Sequence, residues 1–184
     1  MRKKHVRNLT AGCAAFMAAA FVFLAGFLKT AFADEADKNT LVYGSTDYTR
    51  INPAMDEHCE INVLLFDGLT DHDGDNQIIP RLAKSWEYDE ENLTYTFHLE
   101  EGVKWHDGEP FTAEDVKFTF EAIMDPANES ENAPDYEDIE SLEVIDEHTV
   151  TFHLSNVNTA FLEYMTKPVM PKHLLEGEDW QTSD

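Results

Sequence analysis

The sequence predicts a mixed α/β (α+β) fold of antiparallel hairpins and short helices, and three observations carry that expectation. Residues 94–99 alternate, with Tyr95, Phe97 and Leu99 on one face and Thr94, Thr96 and His98 on the other. That is the pattern of a half-buried antiparallel strand. Residues 139–145 and then Val150, Phe152 and Leu154 describe a second hairpin across the turn Asp146-Glu147-His148. Between them, Thr112-Ala113-Glu114-Asp115 reads as a capping box, in which the acid at the third helical position reaches back to the chain entering the helix. The helix it opens is expected over residues 113–124, with Val116, Phe120 and Ile123 inward and Asp125-Pro126 as its stop.

The remaining elements follow in chain order. Residues 40–44 (TLVYG) read as a short buried strand, leading into a polar loop closed by Asn52-Pro53. Ile61, Leu64 and Leu65 suit one apolar face of a helix over residues 57–66 that packs on a sheet and ends at Asp67-Gly68. Asp71-His72-Asp73-Gly74-Asp75 is expected to be a hairpin turn. A calcium loop would need Gly at its sixth place and Glu at its twelfth, whereas here Gly74 is fourth and Leu82 is twelfth. Val103 and Trp105 extend the apolar pattern up to a turn at His106-Asp107-Gly108. Residues 127–138 read as a surface loop, residues 159–165 as a short helix and residues 172–175 as a last helical turn.

The chain start has a different character. Arg2, Lys3, Lys4 and Arg7 precede residues 9–28, which hold no charged side chain. A basic start before an apolar run is an export signal, and Ala31-Phe32-Ala33 has the small-x-small pattern of a cleavage site. Residues 1–33 are therefore expected to be a signal peptide, with the protein extracytoplasmic, in a periplasm or on an outer cell surface. A retained anchor is the alternative, since the 20 residues of that run are enough to cross a bilayer as a helix. Cys13 makes a poor lipidation site, because the apolar run follows it and Leu9 stands one place too far away.

Charge narrows the function. The chain has 13 Lys+Arg against 37 Asp+Glu, a formal charge of −24. Five of those bases and no acid lie in residues 1–33, which leaves 8 bases against 37 acids, a charge of −29, in residues 34–184. Such a surface repels nucleic acid and anionic lipid head groups, so no nucleic-acid partner is expected. Cys59 is the single cysteine beyond residue 33, so no intramolecular disulfide staples that part of the chain and a core must stabilise it. No Ser-His-Asp or Cys-His motif and no acid pair set in an apolar neighbourhood stands out, so no catalytic residue and no enzymatic activity are expected.

Four blocks, in order, resemble one family. They are residues 65–69 (LFDGL), 80–87 (PRLAKSWE), 93–120 (LTYTFHLEEGVKWHDGEPFTAEDVKFTF) and 170–175 (MPKHLL). Together they are similar to the extracytoplasmic solute-binding proteins of peptide and nickel ABC importers, family 5, over residues 41–180. The resemblance implies a type II periplasmic-binding-protein-like lobe. Residues 34–184 would be the N-terminal part of the first of two lobes. On that reading the chain stops in a polar stretch, residues 181–184, before a Gly-Thr-Gly-rich segment and the second lobe. Tight capture by such an opening portion alone is not expected, and some apolar surface would be left uncovered.

The resemblance also implies the function: a binding component that delivers peptides, or alternatively a nickel complex, to importer permease subunits, without a cofactor. A non-transporting, membrane-tethered fragment is the further alternative. Candidate ligand-facing residues lie after the first strand, at Met55, Asp56, Glu57, His58 and Cys59. Neighbouring carboxylates there can hold a peptide amino terminus, and a His beside a Cys can meet a soft metal, although no metal site is assigned. Each also has an ordinary use: Asp56 and Glu57 as favourable charges at a helix start, His58 as a polar residue there and Cys59 as a small apolar filler.

Overall fold

The chain is described from a computed structural model. The structure describes residues 52–55 and 61–178. The expected strand at residues 40–44 and the expected signal at residues 1–33 lie outside the described residues. The elements are α1 (Asn62–Leu65), β1 (Thr70–His72), β2 (Ile78–Pro80), β3 (Ala83–Asp89), β4 (Thr94–Leu99), α2 (Ala113–Met124), β5 (Ile139–Asp146), β6 (Thr149–Leu154), α3 (Phe161–Tyr164) and α4 (Lys172–Leu175). Two 3-10 turns, Pro126–Asn128 and Ala133–Tyr136, follow α2. The strands form a small β1-β2 hairpin and a four-stranded antiparallel sheet in the order β3-β4-β6-β5.

The alternation in β4 and β6 determines which face of the sheet is covered. Phe97, Leu99, Val150, Phe152 and Leu154 are buried on one face. On the other, Thr96 pairs across the strands with Thr151, and their hydroxyls lie 3.0 Å apart. The inner aromatic side chains meet edge to face: Phe97 and Phe120 stand 5.5 and 5.2 Å from Phe152, at 78° and 84°. Phe161 joins them at 5.5 Å. These are the offset geometries that ring quadrupoles favour. The helix α2 lies on this face, with Val116, Phe120 and Ile123 fully buried. Each such side chain contributes about 1.5–3 kcal/mol through burial.

The sequence and the structure differ at three places. The strand β3 was not predicted, because it is a sheet edge whose burial does not alternate: Ala83 is buried, Trp86 is half-buried and its other residues are exposed. The helix α1 has four described residues, and its apolar side chains face outward, Val63 being 68% and Leu64 52% exposed. Its buried side chain is Asn62, so the spacing of Ile61, Leu64 and Leu65 does not mark a face packed on the sheet. Residues 127–138 are more than a surface loop. Tyr136 enters the core against Phe120, and its hydroxyl donates to the carbonyl of Tyr164 at 2.9 Å. Burial pushes that phenol well above its ordinary pKa.

In the Asp71–Asp75 region the hairpin forms as expected, with Asp73 accepting from the backbone N–H groups of Asp75 and Gln77 at 2.9 Å each. The left-handed residue is Asn76 (φ 59°) rather than Gly74.

Gly68 marks a close approach of two segments. Leu69 and Thr70 donate to the carbonyl of Met165, and Val169 donates to that of Asp67. A Cβ on Gly68 would lie 2.5 Å from the Thr166 carbonyl oxygen, which is backbone and cannot swing away. Gly68→Ala is expected to destabilise the fold by about 1–3 kcal/mol, the usual cost of overpacking. A urea midpoint lowered with unchanged slope would bear this out, whereas an unchanged midpoint would mean that the two segments are free to part.

Candidate functional site

Of the five candidate residues, the structure describes Met55, while Asp56, Glu57, His58 and Cys59 lie outside the described residues. Met55 is half-buried at the end of a tight turn. Its N–H donates to the carbonyl of Asn52 at 3.1 Å, and the Asn52 side chain accepts from the N–H of Ala54 at 3.0 Å. An Asn side chain that binds the backbone two residues on is a stable turn former, which is why Asn52-Pro53 reads as a turn in the sequence.

The turn is tied to the body of the protein from far along the chain. The Ser130 hydroxyl donates a short hydrogen bond to the Ala54 carbonyl. The Asn132 amide donates to the same oxygen at 3.4 Å, and the Asn132 N–H donates to the Ser130 hydroxyl at 3.3 Å. Asn52, Ala54 and Ser130 are all buried, so these bonds are shielded from water. Ser130 and Asn132 sit between the two 3-10 turns, in the stretch read from sequence as a solvated loop. Its Ser/Asn content is the local signal for such backbone bonding, but nothing local names a partner 76 or 78 residues away.

Elsewhere on the surface, some acids are paired with bases. Arg81 binds Asp67 at 2.8 Å, Lys172 binds Glu114 at 2.9 Å and His173 binds Asp107 at 2.7 Å. The hydrogen bond from His173, followed by one from the backbone of Glu109, holds the Asp107 carboxyl below the ordinary aspartate range. The hydrogen bond to Glu114 raises the Lys172 ammonium above its ordinary value. Among the described residues, no group of three or more His, Cys, Asp or Glu side chains could hold a metal ion. None of their helices is long and apolar enough to cross a membrane.

Comparison with known proteins gives this arrangement a context. The sequence profile described as "Bacterial extracellular solute-binding proteins, family 5 Middle" matches residues 77–184, more than half of the chain. The chain belongs to family 5 of the bacterial extracellular solute-binding proteins. A family 5 relative, di/tripeptide-binding protein 1 of Pseudomonas aeruginosa, is 36% identical over 122 residues, covering 56% of this chain and 23% of its own. Among solved structures, NikZ from Campylobacter jejuni, in complex with Ni(L-His), superposes with a TM-score of 0.72 at 41% identity. That match covers 75% of this chain and 28% of NikZ. Haemophilus influenzae OppA, in complex with the peptide RPPGFSPFR, gives 0.64 at 28% identity over 71% of this chain and 30% of OppA. The chain thus spans less than a third of the length of each of these family 5 proteins. The fold is accordingly that of part of a type II periplasmic-binding-protein-like protein.

Removing the anchor has a defined expectation. Ser130→Ala should accelerate hydrogen exchange of the Met55 amide about tenfold, because one buried hydrogen bond contributes about 1 kcal/mol or somewhat more. Ser130→Thr should restore it. Unchanged exchange in Ser130→Ala would mean that the turn holds without its distant donor.

Proposed function

We infer that this chain supplies part of the substrate-binding component of an ABC importer and takes up peptides, with no catalytic step. The observation that carries the reading is the shared fold and sequence of the chain with family 5 proteins whose names and complexes specify peptides. The physical logic is that of a receptor. A sheet-and-helix body holds a buried turn, and the sequence that follows it carries two adjacent carboxylates, Asp56 and Glu57. An ammonium group at a peptide amino terminus is the natural partner of such a pair. Permease subunits are the expected downstream partner. Export by residues 1–33 as a signal peptide fits a receptor that works outside the cytoplasm.

A nickel complex is the second reading. It is supported by the superposition on NikZ in complex with Ni(L-His) and by the adjacent His58 and Cys59, donor types suited to a soft or borderline metal.

The two readings separate by titration of the isotopically labelled chain with a tripeptide, with its N-acetylated form and with Ni(L-His). Peptide binding predicts shifts of the Ala54 and Met55 amides with a Kd on the order of 1 mM, about −4 kcal/mol, as suits an open site. Replacing Asp56 and Glu57 by Ala should weaken the free-amino tripeptide about tenfold and leave the acetylated one unchanged. Response to Ni(L-His) alone would transfer the assignment to the nickel complex, and response to none of the three would remove the binding function from this chain.

A further inference from the structure

Residues 65–67, 103–106 and 111 line, together with Leu82, a cavity of about 80 Å³ that is open to solvent on one side. Its wall is apolar, formed by Leu65, Phe66, Leu82, Val103 and Phe111. A single water needs about 10–15 Å³ measured in this way, so the space suits a branched aliphatic group better than one isolated water. Three polar groups on this cavity lack partners. The indole N–H of Trp105 is buried without an acceptor. Lys104 and His106 are exposed, line the cavity, and make no ion pair or side-chain hydrogen bond among the described residues. In a chain with 37 acids against 13 bases, an unpaired lysine is conspicuous. Two acids beside it are already committed, Asp67 to Arg81 at 2.8 Å and Asp107 to His173 at 2.7 Å. Lys104 is thus left as a cation on the cavity that neither of these two carboxylates engages.

We propose that this cavity binds an apolar monocarboxylate, with the aliphatic tail against Leu65, Leu82, Val103 and Phe111 and the carboxylate at Lys104 and His106. An apolar wall with a few convergent donors is the general design of a small-ligand site. The carboxylate supplies the acceptors that Lys104 and His106 lack, and Arg81 keeps Asp67 from opposing it. The proposal uses none of residues 55–59 and does not depend on the peptide reading. Two sources carry this chemistry, a free branched-chain acid and the carboxy-terminal residue of a peptide.

The test is titration of the full chain with 4-methylpentanoate, N-acetyl-leucine and N-acetyl-leucinamide, following the Trp105 indole resonance assigned by its loss in Trp105→Phe. Both carboxylates should shift it, with the amide at least tenfold weaker. Lys104→Met, which keeps the apolar stem, should bring the two acyl-leucine ligands within about twofold of each other. Binding of 4-methylpentanoate but not N-acetyl-leucine assigns the free acid, and the stronger binding of N-acetyl-leucine assigns a peptide terminus. Equal affinity for acid and amide in the unaltered chain, or an indole signal unmoved at 20-fold excess over about 1 mM protein, overturns the proposal.

Discussion

Much of this structure depends on one polar row along α2, the side chains of Asp115 and Thr119. Asp115 is buried, and its two carboxylate oxygens serve different parts of the chain. One accepts from the N–H of Thr112 at 2.9 Å and closes the helix start, while the other accepts from the N–H of Lys172 at 2.9 Å and fixes the start of α4. One turn further on, the Thr119 hydroxyl donates to the carbonyl of Asp115 at 2.8 Å and accepts from the N–H of Met170 at 2.9 Å. A buried carboxylate is tolerable because it is fully occupied by donors and lies at the positive end of a helix. The row thus converts a local capping motif into a long-range clamp. It seats Val169 and Met170, both fully buried, against the core.

That clamp also explains how the chain keeps order despite its charge. A formal charge of −24 opposes compaction, and isolated surface ion pairs offset little of it. Several described histidines face carboxylates between separate elements, as His72 does with Glu163 at 2.7 Å and His173 with Asp107 at 2.7 Å. The main stabilisation comes from the aromatic cluster of Phe97, Phe120, Phe152 and Phe161, fully or almost fully buried, over which the clamp is drawn tight. The turn at residues 52–55 then inherits a fixed position, because its anchor Ser130 lies between α2 and Tyr136, both locked into that core.

What the sequence made legible was whatever is encoded locally. The helix Ala113–Met124, with its capping acid and its inward Val116, Phe120 and Ile123, was readable because three local signals agree. The strands around Phe97 and Phe152 were readable for the same reason. The edge strand Ala83–Asp89 escaped because alternation reports one-sided burial, and an edge carrying Lys84, Glu87 and Asp89 is largely solvated. The outward face of Val63 and Leu64 escaped because spacing says that a face is apolar and not what it meets. At the candidate site, the sequence pointed to residues 55–59, and the anchoring pair Ser130 and Asn132 was invisible. Their role exists only through the fold, across more than 70 residues.

The central claim is that the segment from Val169 to Lys172 is held by the polar row of α2 and not by apolar contact alone. Native-state hydrogen exchange of Thr119→Val, which keeps the shape and removes the hydroxyl, tests it most directly. The expected result is exchange of the Met170 amide accelerated about tenfold or more while the Phe152 amide keeps its protection, a local opening from loss of one buried hydrogen bond. Unchanged protection at Met170, or an equal loss at Met170 and Phe152, would contradict the account.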